Sequence, residues 1–229
     1  MNQVNRLPPP WGTMLNRERL MSFEFEGRPF TGIAGDTVAS ALAANGEWLL
    51  SRSFKYHRPR GVLTMAGQDA NTLVQLPAHP NALADRTLLS DGLVVAGQNY
   101  SGALRSDRNA WIQKFARFLP VGFYYHAFFR PRGIWNLWSR YFRRKAGLGI
   151  IDESYRPHGY DKQYRFCDVA VIGAGPAGLS AAIAAAKGGT DVLLIDENPL
   201  LGGSLNYARS AIDAALEARR RQDLLGEVS

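Results

Sequence analysis

Apolar side chains recur at roughly every second position over residues 20–25 and again over 28–33, and the Glu26-Gly27 pair between these runs predicts a tight turn closing an antiparallel hairpin. The period then changes to that of a helix. Val38, Ala39, Leu42 and Ala43 make a helical stripe, Asp36 stands as its N-cap, and Asn45-Gly46 is its stop. Short apolar runs at 48–56, 72–76, 87–89 and 93–96 predict further strands. Hairpin, helix and strands together predict an α+β domain of the β-grasp type over 19–105. Residues 1–18, with Pro8-Pro9-Pro10, have little to bury and predict an extended arm.

Residues 106–165 follow neither period throughout. They are dense in aromatics, and Trp135, Trp138 and Phe142 fall at i, i+3 and i+7 while Arg140, Arg143 and Arg144 occupy other faces, which predicts a helical connector. This segment also carries the charge. Over 105–165 there are 13 basic and 4 acidic side chains, an excess of nine, whereas the whole chain is only +7. A local basic, aromatic surface has three readings: docking of a partner subunit, stacking of single-stranded nucleic acid, or an interfacial helix. Partner docking is preferred, because no nucleic-acid-binding motif accompanies the patch.

The most informative stretch is 167–197, CDVAVIGAGPAGLSAAIAAAKGGTDVLLIDE. It reads as a buried strand, a glycine turn, an alanine-rich helix, a Gly-Gly stop and a second buried strand, which is one βαβ unit. Gly173, Gly175 and Gly178 have the G-x-G-x-x-G spacing, interleaved with Ala174, Pro176 and Ala177. The first glycine permits the turn, the second lets backbone approach a pyrophosphate, and the third lets helix pack on strand. Pro176 suits the first helical turn, where its missing N–H is no loss. Asp196, followed by Glu197, ends the second strand at the distance where an acid accepts from ribose hydroxyls, and such an acid disfavours NADP. Gly202, Gly203 and Ser204 follow as a candidate second loop against the ligand, or as an ordinary turn. NAD and FAD share the half of the molecule that this unit would meet, so the motif does not separate them.

Two parallel strands do not make a dinucleotide domain, since parallel sheets are buried and carry about four or five strands. After Ser204 the sequence offers an amphipathic helix over 208–225 and no third strand. The expectation is a part of a larger chain, or a subunit completed by another. Cys167 is the one cysteine, which argues against a disulfide, a Cys-rich zinc site and a four-thiolate iron–sulfur cluster. His57, His79, His126 and His158 lack a second ligand at metal spacing, so no metal is expected. The first residues lack the apolar core of a signal peptide and no run is long enough to span a bilayer, which makes the cytoplasm the expected compartment.

Residues 51–76 (SRSFKYHRPRGVLTMAGQDANTLVQL), 91–99 (DGLVVAGQN), 122–131 (GFYYHAFFRP), 146–149 (AGLG) and 167–182 (CDVAVIGAGPAGLSAA) resemble the alpha subunits of heterotetrameric sarcosine oxidases. The FKYHRPRG string is more specific than the glycine fingerprint. The resemblance implies a β-grasp domain related to [2Fe–2S] ferredoxins but without a cluster, then a dinucleotide domain holding NAD. It implies a beta-type flavoprotein subunit as partner, with the amine-oxidising flavin mainly there, and therefore no catalytic side chain in this chain. The related alpha-type subunits of opine and hydroxyproline dehydrogenases and of hydrogen cyanide synthase keep FAD as the alternative.

Within the FKYHRPRG region, Arg52, Lys55, His57, Arg58 and Arg60 surround Phe54 and Tyr56. Arginine forks bind phosphate or carboxylate, so the cluster is a candidate contact for a cofactor phosphate or a partner, against the simpler reading of a charged strand edge. Two functions follow: a dinucleotide-binding subunit of a flavin-dependent amine oxidoreductase, or a non-catalytic assembly module whose βαβ unit is structural.

Overall fold

The computed structural model describes residues 5–9, 12, 14–65, 67, 69–118, 122, 128, 130–146, 149–156, 159–198, 200–206, 222–223 and 226. The chain divides into two compact units, 1–156 and 157–229. The helix expected over 208–225, the aromatics Phe123, Tyr124, Tyr125 and Phe129, and the histidines His126 and His158 fall wholly or largely outside the described residues.

In the first unit, strands β1 (Asn16–Phe25) and β2 (Arg28–Ala34) form the expected hairpin, with Phe23 opposite Phe30 and Phe25 opposite Arg28. Glu26 and Gly27 both take positive φ, 53° and 69°, so the turn twists in the sense of the two strands it joins. Alternation buries Met21, Phe23 and Phe25 on one face of β1. Helix α1 (Val38–Ala44) covers that face, adding Val38, Ala39, Ala41 and Leu42 to a core that Leu50, Val74, Leu89, Val95 and Leu104 complete. Truncating a ring as enclosed as Phe25 costs about 3–5 kcal/mol.

The start of α1 differs from the expectation by one residue. Thr37 is the N-cap, in a reciprocal capping box with Ser40. Asp36 is displaced from that role because its carboxylate is taken by Arg6, at 2.6 Å and 3.1 Å, and by the Ser40 hydroxyl and Ile33 N–H. Arg6 is pinned to Asp36, Asn5 donates to the Ala43 carbonyl, and β1 itself begins at Asn16.

The remaining elements of this unit are shorter than the apolar runs suggest. They are β3 (Ser51–Arg52), β4 (Pro59–Arg60), β5 (Leu73–Val74), β6 (Ala82–Leu83) and β7 (Leu93–Val95), and β7 lies parallel beside β1 in a sheet of order β2-β1-β7. The run at 48–56 is mostly loop, because Ser53 and Arg58 close a turn between β3 and β4. The run at 87–89 pairs only through the Leu88–Thr37 bridge. Ala110–Phe118 is a 3-10 helix and α2 spans Trp135–Ala146. Trp138 and Phe142 of α2 enclose the Phe128 ring at 4.8 Å and 5.0 Å between centroids.

The second unit is a βαβ unit: β8 (Val169–Ile172), α3 (Pro176–Lys187) and β9 (Val192–Ile195). The strands are parallel and paired from Val169–Val192 to Ile172–Ile195. Leu179, Ala182 and Ile183 are the buried positions of α3. Among the described residues the sheet has these two strands, and Ile172 at its end is 85% exposed.

Candidate functional site

The turn from β8 into α3 has the geometry its glycines suggest. Gly173 sits at φ +98°, a region that side chains disfavour, and its N–H donates to the Ile195 carbonyl at 2.7 Å. Among the described residues nothing lies within 4 Å of a Cβ built on Gly173 or Gly175, so this side of the turn is open. Gly178 is the opposite case, since a Cβ there would collide with the Gly173 carbonyl oxygen. Its role is the close seating of helix on turn. Gly175 is the N-cap of α3 with no side-chain cap, and Pro176 occupies the first turn. The first-turn N–H groups of a helix have no intrahelical partner, and they gather at its positive dipole end. Ala174 is fully buried and Ala177 exposed.

Asp196 follows β9 and meets the turn directly. One carboxylate oxygen accepts from the Ala174 N–H at 2.5 Å, and the other from Asn198 through its N–H at 2.7 Å and its Nδ2 at 2.8 Å. These bonds, the Ala174 bond foremost, hold the Asp196 carboxyl below its ordinary 3.8. The acid expected to face a ribose therefore first ties the two strand ends together, and the oxygen bonded to the Ala174 N–H keeps a further lone pair for another donor, the other oxygen being filled by Asn198. Glu197 is exposed beside it. Gly202 donates to the Ala174 carbonyl at 2.8 Å, and a Cβ on Gly203 would come within 2.9 Å of the Gly175 Cα. The Gly202-Gly203 loop thus packs on the glycine turn, with Ser204 half-buried next to it. Sequence reasoning missed Asn198 and Asn206, whose Nδ2 donates to the Leu201 carbonyl at 3.1 Å. The Asp-x-Asn spacing at 196–198 is an Asx-turn signal that could have revealed the first.

The basic cluster of the first unit divides into two groups. Arg52 and His57 are buried and do not face a ligand: 6% and 2% exposed. Arg52 gives its donors to the carbonyls of Leu104, His57 and Arg105 at 2.7–3.1 Å, and His57 Nδ1 pairs with Asp107 at 2.7 Å. Asp107 also accepts from the Ser101 and Asn109 N–H groups, both at 2.9 Å. This aspartate lies 50 positions from His57, beyond the reach of spacing arguments. Three of the five Arg52 N–H donors and the His57 Nδ1 are engaged inside the fold, so the structure places these two residues as internal fastenings and not at the surface where the expected contact would need them. Lys55 and Arg58 remain outside, lying 4.8 Å and 4.7 Å from the Tyr56 ring centroid, and Arg60 is exposed and bonded to Asn71.

Other charged groups of this unit are internal fastenings. Burial alone would raise the Glu47 carboxyl, but Arg28 and Arg105, at 2.5 Å and 2.6 Å, hold it below 4.5. Burial, with Glu26 beside it, pushes the Tyr100 hydroxyl up to about 12. Among the described residues no group of three His, Cys, Asp or Glu side chains could hold a metal ion, and no helix is long and apolar enough to cross a membrane.

Comparison with known proteins places both units. Residues 18–100 match the family described as 2Fe-2S iron-sulfur cluster binding domain, and residues 168–227 the family described as FAD dependent oxidoreductase. The chain is 42% identical over 94% of its length to a sarcosine oxidase subunit alpha of Rhizobium meliloti, and 30% identical over 89% to one of Corynebacterium, covering 22% and 17% of those proteins. It therefore spans about a fifth of the length of the curated relatives it matches. The L-proline dehydrogenase of P. horikoshii shares the fold at a TM-score of 0.54 and 20% identity, over 93% of this chain and 32% of that one.

The first match corrects the expectation of a chain with no iron–sulfur cluster, because residues 18–100 fall in a cluster-binding family. The expectation rested on cysteine number and on the family resemblance. Those residues contain no cysteine, Cys167 being the chain's only one, so the thiolates such a cluster takes are not supplied within the match.

Proposed function

We propose, from the premise that this chain is a homologue of the sarcosine oxidase alpha subunits, that it forms part of an alpha-type subunit of a flavin-dependent amine oxidoreductase and that its second unit binds an adenine dinucleotide. FAD is placed ahead of NAD, because the match over 168–227 is to FAD-dependent oxidoreductases. The observation that carries the reading is the β8–α3 turn, open over Gly173 and Gly175 and closed at Gly178.

A pyrophosphate would lie against the backbone of Gly173, Ala174 and Gly175, with Pro176, Ala177 and Gly178 beginning the helix whose N-terminus faces it. Asp196 would accept from a ribose hydroxyl with the lone pair left on the oxygen that bonds the Ala174 N–H, beside Glu197, and Gly202, Gly203 and Ser204 would line the neighbouring side. The bound group supplies the electron acceptor, a flavin taking two electrons and a nicotinamide a hydride. Residues of this chain bind and orient it. Sarcosine or a similar N-methylated amine is the proposed substrate of the assembled enzyme, with a beta-type flavoprotein subunit as partner and the cytoplasm as compartment.

The test is to denature the purified full chain and identify what it releases. Flavin absorbance in the supernatant is the expected result, and nicotinamide nucleotide would move the assignment to NAD. Release of neither, with no uptake of either when added, would favour the assembly module whose βαβ unit is structural.

A further inference from the structure

The β3–β4 hairpin and its loop, 51–60, separate into a buried frame and an outward surface. The frame is Arg52 and His57. Arg52 bonds three carbonyls, while His57, at φ +54°, is locked by Asp107 and by its own N–H to the Ser53 carbonyl at 2.9 Å. Ser53 also fixes Arg58, through Arg58 N–H to the Ser53 hydroxyl at 3.0 Å and Ser53 N–H to the Arg58 carbonyl at 2.8 Å. A non-glycine residue at positive φ is strained and persists only where its surroundings over-determine it, as this frame does. The loop is held in one shape.

What that shape presents is specific in composition. Phe54 is 51% exposed, Trp48 54% and Leu63 79%, and Lys55 and Arg58 stack on Tyr56. Residues 48–65 contain no acidic side chain. Trp48 and the end of the hairpin are adjacent, since a Cβ on Gly61 would collide with the Trp48 carbonyl oxygen. Aromatics and arginine around an apolar centre are what protein interfaces concentrate, and a rigid presentation lowers the ordering cost of binding. A phosphate site would instead gather its arginines on one point, whereas here Arg52 is consumed internally and Arg60 bonds Asn71.

We propose that this hairpin surface docks a partner polypeptide, by seating an apolar side chain of the partner on Phe54 and pairing the partner's surrounding carboxylates with Lys55 and Arg58. Charge complementarity selects the acidic partner, and the exposed apolar side chains select a protein over a free anion. The site lies in the first unit and does not depend on the dinucleotide reading.

The experiment uses the full chain and a labelled peptide of alternating glutamate and leucine, read by fluorescence anisotropy. The double variant Lys55→Glu/Arg58→Glu is expected to weaken binding at least tenfold, and Phe54→Ala severalfold. A control of equal charge change on α2, Arg140→Glu/Arg143→Glu, is expected to leave binding within twofold. All the substituted side chains are at least partly exposed, and far-ultraviolet circular dichroism with thermal melts verifies folding. Equal loss in both charge variants would reduce the effect to net charge and overturn the proposal. So would absence of peptide binding, or a loop that responds to inorganic pyrophosphate or to anionic phosphatidylserine vesicles and not to the peptide.

Discussion

The Asp196 carboxylate accepts a hydrogen bond from the Ala174 N–H at 2.5 Å across the ends of β8 and β9. The contact joins the acid after the second strand to the glycine turn after the first, so the side chain best placed for a ribose also sets the shape of the phosphate turn. Its bonds to the turn and to Asn198 lower its pKa below 3.8. A depressed folded-state value means stabilisation that is complete above the unfolded value and is lost as pH falls through the folded one. Hydrogen exchange of the Ala174 amide should therefore be slow above about pH 4, once corrected for intrinsic rates, and lose protection on further acidification. Asp196→Asn should lower that protection at neutral pH and flatten its pH dependence. Protection in the variant that still follows pH in the wild-type manner would show another group in control.

Gly178→Ala places a methyl group against the Gly173 carbonyl oxygen, and backbone cannot swing aside as a side chain end can. The expected cost is about 3 kcal/mol, at the upper end of overpacking. Amide exchange over 168–196 should accelerate while core amides of the first unit, such as Phe25 and Leu42, stay unchanged.

Arg6→Ala should destabilise the first unit by about 3 kcal/mol, since it leaves the Asp36 carboxylate, with no side-chain exposure, without its cation. Urea denaturation followed by tryptophan fluorescence measures this. An effect under about 0.5 kcal/mol would mean that the arm is held by other contacts and that Ser40 and Ile33 suffice for Asp36.

Arg52→Met keeps much of the side-chain volume and removes every donor. The carbonyls of Leu104, His57 and Arg105 then lose a partner and Asp107 a nearby guanidinium at 3.8 Å, for a cost of about 3 kcal/mol or more. Denaturation midpoints should fall, whereas Lys55→Ala should leave them nearly unchanged.

Local physics made the hairpin, α1 and the βαβ unit legible, because in each a short period and a turn residue act within about ten positions of one another. Glu26-Gly27 and Asn45-Gly46 are of this kind, with Gly46 at φ +77°. The errors have a common cause in distant partners. Asp36 reads as an N-cap until Arg6, 30 residues earlier, claims its carboxylate. Arg52 and His57 read as surface cations until Asp107 and the 104–105 carbonyls bury them. For Asp196 the position was legible and its first hydrogen-bond partner was not, since a backbone N–H leaves no mark on composition. The expectation of no iron–sulfur cluster failed because it weighed cysteine number, whereas family membership over 18–100 follows the fold and not the ligands.

Dinucleotide binding turns on Gly175, whose open face is where backbone would meet a pyrophosphate. Isothermal titration of FAD, and separately of NAD, into the full chain and into Gly175→Val tests it most directly. The predicted result is dinucleotide binding by the wild-type chain, FAD the tighter, and at least a hundredfold loss in the variant with its far-ultraviolet circular dichroism unchanged, which is about 2.7 kcal/mol. Wild-type affinity retained in Gly175→Val, or no binding of either nucleotide to the wild-type chain, would contradict it.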